Sequence, residues 1–196
     1  MRPIPAHMEP KLMAAADLIA ERGLDSTKME DVASATGIPK ATLYYYFTGK
    51  EEILTFLFVK VLGEVRQAVT AAAAGSRPAA QRLQQVIAAH LGVFADFPTA
   101  SRVLQFDLGR AARLPDIASA VEASFVGPVT QLLADGERDG SLRTVRHPRM
   151  TAIALLGAVT TTGLNGISPE HLGSTDELAR MLSDLVLDGL ASKGAA

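Results

Sequence analysis

The sequence predicts an all-α protein, and three observations carry that prediction. Apolar residues recur at helical spacing, alternating strand patterns are hard to find, and Gly and Pro fall where the periodic runs stop. The 196 residues are 48% hydrophobic and 20% charged, enough to bury a sizeable core and a poor composition for disorder. The net charge is −2, so a globally basic nucleic-acid binder is not indicated, although a local site remains open.

The elements follow in order. Leu12, Ala16 and Ile19 mark a first helix, with Pro10 near its start. Gly23 is expected to cap it in a left-handed conformation, with Leu24 folding back on the last turn. Residues 27–47 read as two short helices across a tight turn. Thr27 and Glu30 have capping-box spacing, Asp31 complements the helix dipole, Val32 and Ala33 face inward, and Gly37 supplies the turn. Pro39 suits a first helical position, and Leu43 and Phe47, four apart, anchor the second helix. Thr48 and Glu51 repeat the capping spacing before a long helix marked by Leu54, Leu57, Phe58, Val61 and Val65.

Further on, Leu83, Val86, Ile87, His90, Leu91 and Phe94 form one stripe. Leu104, Leu108 and Ala111 suggest a shorter helix. Ile117, Val121, Phe125, Val129, Leu132 and Leu133 fit a helix begun near Pro115 and ended at Gly140. Residues 150–164 and 178–190 supply the last two, divided by a Gly/Pro/Ser linker over 166–174, with Ser174 and Glu177 at capping-box spacing.

Several classes are disfavoured. The chain has no Cys, which removes disulfides, thiolate metal sites and Cys nucleophiles. His7, His90, His147 and His171 lack ligand spacing, and there is no Ser-His-Asp constellation or phosphate loop. No metal, cofactor or enzymatic activity is expected. The N-terminus makes a poor signal peptide, and the longest uncharged stretch, between Arg149 and Glu170, is interrupted by Thr, Asn and Ser. We therefore expect a cytoplasmic protein without a membrane span.

The stretch GIPKATLYYYFTGK, residues 37–50, carries all three tyrosines. Residues advance by about 100° along a helix. With Leu43 and Phe47 inward, Tyr46 lies at the edge of the buried face, and Lys40, Ala41, Thr42, Tyr44 and Tyr45 point outward. That surface offers hydroxyls, a cation, flat apolar area and no acid, which suits phosphates, base edges and thymine methyl groups. Two short helices across a Gly turn, between supporting helices, make a helix-turn-helix.

The segment from Thr27 to Leu54 resembles the DNA-binding domain of the TetR family of bacterial transcriptional regulators. The resemblance rests on the capped helix, the Gly turn, and Leu43, Tyr44, Phe47, Lys50, Glu51 and Leu54 at the family's spacing; it spans about residues 10–56. Pro39 departs from it, since many members carry a small polar residue there. The resemblance implies that Thr27 and Lys28 touch phosphate and that Pro39, Lys40, Ala41, Thr42 and Tyr44 face the major groove. It places Tyr45 and Tyr46 along the backbone and Lys50 on phosphate. Residues 1–60 hold seven bases and eight acids, so nonspecific affinity should be modest. With about six phosphates neutralised by a dimer, the salt slope is expected near ~−5.

The implied division is a DNA-binding domain over 1–48 and a helical effector-binding and dimerisation domain over 49–196. Two readers on an inverted-repeat operator require a homodimer. Ala154, Gly157, Ala158 and Thr161 offer a small-residue face, and Leu178, Leu182, Leu185 and Val186 an apolar one; the resemblance points to a four-helix interface. Burial within one protomer is the alternative. The effector is expected to be a mainly apolar small molecule, with Phe58, Leu62, His90, Phe94, Phe97, Phe106 and Phe125 as candidate contacts. Each of these is equally readable as core. Arg102, Arg110 and Arg113 read as surface residues or as an anion site. The function expected is a ligand-responsive regulator, a repressor released by its effector. The competing reading is a helical architectural or protein-interaction module without an effector.

Overall fold

The computed structural model describes residues 3–99, 101, 103, 115–166 and 174–190; among them it contains helices and turns and no β-strand. The helices are α1 (Glu9–Arg22), α2 (Met29–Thr36), α3 (Lys40–Tyr46), α4 (Lys50–Ala73), α5 (Ala79–Asp96), α6 (Pro115–Val121), α7 (Gly127–Asp139), α8 (Pro148–Gly166) and α9 (Thr175–Leu190), with a π turn, Glu122–Val126, between α6 and α7. The expected short helix at Leu104, Leu108 and Ala111, the residues Phe106, Arg102, Arg110, Arg113 and His171, and most of the 166–174 linker lie outside the described residues.

The chain divides into two compact units, Met1–Val61 with Thr99–Ala118, and Leu62–Pro98 with Ser119–Ala196. In the first, α1 buries Leu12, Ala15, Ala16 and Ile19 and packs on α2, which packs on α3. Gly23 ends α1 with its N–H donating to the Ile19 carbonyl at 2.8 Å. Its φ of 76° is positive as expected, but ψ of 153° makes it an extended exit rather than a left-handed helical cap. Leu24 folds back and is buried.

The caps fall near their expected places with different partners. Thr27 does not cap α2: its hydroxyl donates to the Gly23 carbonyl at 2.8 Å. The extended residue before α2 is Lys28, whose backbone N–H donates to Asp31 Oδ2 at 2.9 Å, so Asp31 rather than Glu30 closes the turn. An ammonium has no acceptor, so this box works in one direction only. Gly37 takes the left-handed conformation (φ 64°, ψ 19°) that the turn needs. Pro39 stands just outside α3, and its carbonyl accepts the N–H groups of Thr42 and Leu43 at 2.8 and 3.0 Å. At the head of α4 the Thr48 N–H donates to Glu52 Oε2 at 2.6 Å, one residue beyond the expected Glu51.

In the second unit, α5 packs on α7, α8 and α9. Its N-terminal amides are met from the end of α7: Ala79 N–H donates to Asp139 Oδ2 at 2.8 Å and Ala80 N–H to Ser141 Oγ at 3.1 Å. Arg82 clasps the Ala73 and Arg77 carbonyls, both at 3.0 Å, and Asp135 at 3.2 Å. The single helix expected from Pro115 to Gly140 is interrupted by the π turn, where Gly127 N–H bonds the Glu122 carbonyl five residues back. Pro128 explains the break, because it has no N–H for the i−4 carbonyl and its ring crowds that carbonyl. On α8, a Cβ at Gly163 would stand 2.7 Å from the Phe94 ring, so glycine allows α8 to approach α5 closely. Ser174 and Glu177 form the reciprocal box expected before α9, at 2.9 and 3.2 Å.

Candidate nucleic-acid interface

The outward face of α3 is set by what is buried beneath it. Leu43 and Phe47 are 0% and 1% exposed, and the Phe47 ring meets Phe56 edge-on with centroids 6.1 Å apart. Tyr44 and Tyr45 are consequently 51% and 59% exposed. Tyr46 is half-buried and meets Tyr45 edge-to-face at 4.9 Å. Pro39, Lys40 and Ala41 are exposed and Thr42 is half-buried. Exposure agrees with the outward reading at Lys40, Ala41, Tyr44 and Tyr45, and only partly at Thr42.

Three positions differ from expectation. Thr27 is 1% exposed and its hydroxyl proton is committed to Gly23, so the side chain offers nothing to a phosphate. Lys50 does not project from the helix start: its ammonium donates to the carbonyls of Asp25 and Thr27, both at 3.0 Å. Those carbonyls lie in the loop between α1 and α2, so Lys50 stitches the head of α4 to the entry of the helix-turn-helix. A cation in a first turn opposes the helix dipole, and two carbonyl oxygens supply the compensation that a phosphate was expected to give. Thirdly, the recognition face is not free of acids. Glu30, exposed on α2, bonds Lys40 at the first position of α3. The Lys40 hydrogen bond is the main cause holding the Glu30 carboxyl below its usual range, and it raises the Lys40 ammonium in turn. Lys40 Nζ also stands 5.8 Å from the Tyr44 ring centroid.

In the second unit, His90 is 3% exposed among aromatic neighbours. Its ring lies 5.1 Å from Phe94 and meets Phe125 edge-on at 4.9 Å. Its Nδ1 has no hydrogen-bond partner, and burial pushes its pKa down from 6.5 to about 4. Phe94 and Phe125 are buried, as are Phe58 and Leu62 in their own surroundings; Phe97 is half-buried. The π turn places Phe125 on His90, a relation invisible in a plain helical projection. Of the candidate dimer residues, Ala154, Gly157, Thr161 and Leu185 are exposed, while Ala158, Leu178 and Val186 are partly so. Leu182 is 2% exposed and faces inward, a correction to its assignment. Met150 and Met181, 61% and 52% exposed, lie on the same outward stripes and were missed because methionine reads equally as core.

A helix-turn-helix whose second helix turns hydroxyls and aromatic surface outward defines a DNA-binding regulator. Residues 12–55 match the family described as bacterial regulatory proteins, tetR family, and residues 76–190 match the tetracyclin repressor-like C-terminal domain. The chain belongs to the TetR family. It is 28% identical over 187 residues to the HTH-type transcriptional repressor KstR2 of Rhodococcus jostii (strain RHA1), covering 91% of this chain and 88% of that protein. The fold matches FadR of Bacillus subtilis in complex with stearoyl-CoA (TM-score 0.80, 22% identity, 92% of this chain and 98% of that one). It also matches AibR in complex with isovaleryl coenzyme A and operator DNA (TM-score 0.74, 20% identity, 91% and 96%).

Two outcomes follow from these environments. Lys50→Met keeps the stem and removes both carbonyl bonds; it should lower the unfolding free energy by about 1–3 kcal/mol, since hydrogen bonds to a charged group are worth that much. Denaturant titration checks it, and a variant as stable as the parent would return Lys50 to a phosphate role. His90 is neutral when folded and titrates near 6.5 when unfolded, so its stabilising contribution is present above pH 6.5 and is lost as pH falls towards about 4. Between pH 6.5 and 4.5 the parent should lose about 2–3 kcal/mol more stability than His90→Phe, measured by denaturant titration at both pH values.

Proposed function

We propose that this regulator is a homodimeric repressor that holds an inverted-repeat operator and is released from it by a small-molecule effector with an apolar part. The observation that carries the DNA half is the exposed face of α3, where Thr42, Tyr44 and Tyr45 turn away from a core fixed by Leu43 and Phe47. Pro39, Lys40 and Ala41 begin that face, Lys28 stands at the head of α2, and Tyr46 braces α3 against its own edge. Residues 1–48 serve DNA binding and 49–196 effector binding and dimerisation. The stripes of Met150, Ala154, Gly157 and Thr161 on α8 and Leu178, Met181 and Leu185 on α9 support a pairing face, because so much exposed apolar and small-residue surface calls for a partner.

The effector is assigned to the interior of the second unit, where His90 is a polar atom without a partner in an aromatic setting with Phe94 and Phe125. Leu62 and Phe97 are further candidates in this unit; Phe58 belongs to the other. Relatives of this fold carry stearoyl-CoA and isovaleryl coenzyme A. These neighbours support an acyl-coenzyme A as the effector class we assign, its acyl chain to the apolar interior beside His90; its charged nucleotide departs from the mainly apolar effector that the sequence led us to expect. Effector binding favours a conformer whose recognition helices are misspaced, with α4 as transmitter. The assignment makes the protein a cytoplasmic regulator with no catalytic role.

The test begins with selection of bound sequences from a random DNA pool. An inverted repeat with half-sites roughly 34–36 Å apart is expected, and acyl-coenzyme A should weaken operator binding some 5–150-fold, the range of about 1–3 kcal/mol of coupling. Binding without sequence preference and indifferent to acyl-coenzyme A would instead support an architectural module.

A further inference from the structure

Glu30 lies in the first turn of α2, is exposed, and reaches Lys40 at the first position of α3. Its carboxylate accepts from Lys40 and from its own backbone N–H, and it is also near enough to Lys28 for that charge to act on it. One carboxylate thus acts on two of the three cations expected at DNA-contact positions, Lys40 and Lys28, and the third, Lys50, is committed to the Asp25 and Thr27 carbonyls. The neighbouring Asp31 has other work, closing α2 at Lys28 N–H and pairing with Arg22 at 3.6 Å.

We infer that Glu30 is a specificity-determining residue that acts through Lys40, its carboxylate standing in for a backbone phosphate on the protein's own recognition face. An ammonium bonded to a carboxylate has the partner that it would otherwise seek on DNA. Nonspecific binding is driven almost wholly by neutralising phosphates and releasing their counterions. To take part, Lys40 must leave Glu30, and Glu30 is then left exposed beside the phosphates. Random duplex offers nothing further to offset this. An operator does, because base-edge contacts from α3 add to the electrostatic term. Glu30 therefore weakens binding to unrelated DNA more than binding to the operator, which is specificity by a built-in repulsive element. The salt slope of the parent should be correspondingly shallower than the ~−5 expected from three free cations per protomer. This inference rests on DNA binding by α3 and is independent of the effector.

The experiment is fluorescence anisotropy on selected operator and on an unrelated duplex across a range of KCl, with the parent, Glu30→Gln, Lys40→Gln and the double variant. Glu30→Gln should steepen the slope of log K against log salt by about 0.9 per protomer on unrelated DNA. It should raise affinity for that duplex at low salt by tenfold or more, and narrow the ratio of operator to unrelated binding. In the Lys40→Gln background the same change should have a much smaller effect, because the ammonium bonded to Glu30 is gone and only the weaker influence on Lys28 remains. A purely structural ion pair would change thermal stability and leave the slope alone; that result overturns the proposal. Equal steepening with and without Lys40 overturns it too, since Glu30 would then act only through the general field. Failure of the folded parent to prefer the selected operator over the unrelated duplex would instead count against the proposed function itself, and is read before any variant.

Discussion

The functional face of this protein depends on the burial of two side chains. Helix α3 has seven residues, too few to hold a helix in water without tertiary support. Leu43 and Phe47 supply that support from one stripe, and their burial fixes the rotation of the helix about its axis. Once that angle is fixed, Tyr44 and Tyr45 have nowhere to go but outward, and Tyr46 must lie at the boundary. The three consecutive tyrosines are therefore three different environments, produced by one packing decision.

The charges around this face serve the protein before they serve DNA. Lys50 ties α4 to the loop ahead of α2, and Lys40 is joined to Glu30 across the turn. Both contacts tighten the helix-turn-helix, and both reduce the supply of free cations. The whole chain carries a net charge of −2, and Glu30 sets an acid beside Lys40 at the start of α3. Among the described residues of the other unit, the buried side-chain polar atom left unpaired is His90 Nδ1, in a part of the fold where a π turn resets the helix phase. Buried polar atoms without partners are costly, so a ligand that completes His90 would be recognised as well as accommodated.

Much of this was legible in the sequence, for physical reasons that differ by residue. The helices were readable because Leu, Val and Phe recur at the helical period, and the turn at Gly37 because a left-handed residue is needed there. Capping at Ser174 was readable because both partners lie three residues apart. Capping at Thr27 was not, since the choice between Thr27 and Lys28 depends on where Gly23 leaves its carbonyl. The partners of Lys50 are 23 and 25 residues away, beyond any local pattern. Glu30 looked like a cap because only the fold brings it to Lys40. Leu182 and Leu185 are both apolar residues of α9, and composition does not say which side of the helix meets its own core. The π turn was written in Gly127 and Pro128, yet a plain 3.6-residue projection passes over it.

The outward face of α3, fixed by Leu43 and Phe47, is the surface we propose as the DNA reader. The most direct measurement is operator affinity of the Tyr44→Ala, Tyr45→Ala double variant, with circular dichroism and thermal unfolding in parallel. Both side chains are exposed, so the account predicts a fold and melting temperature close to the parent's and an operator affinity lowered by tenfold or more. Undiminished affinity in a folded double variant would contradict it.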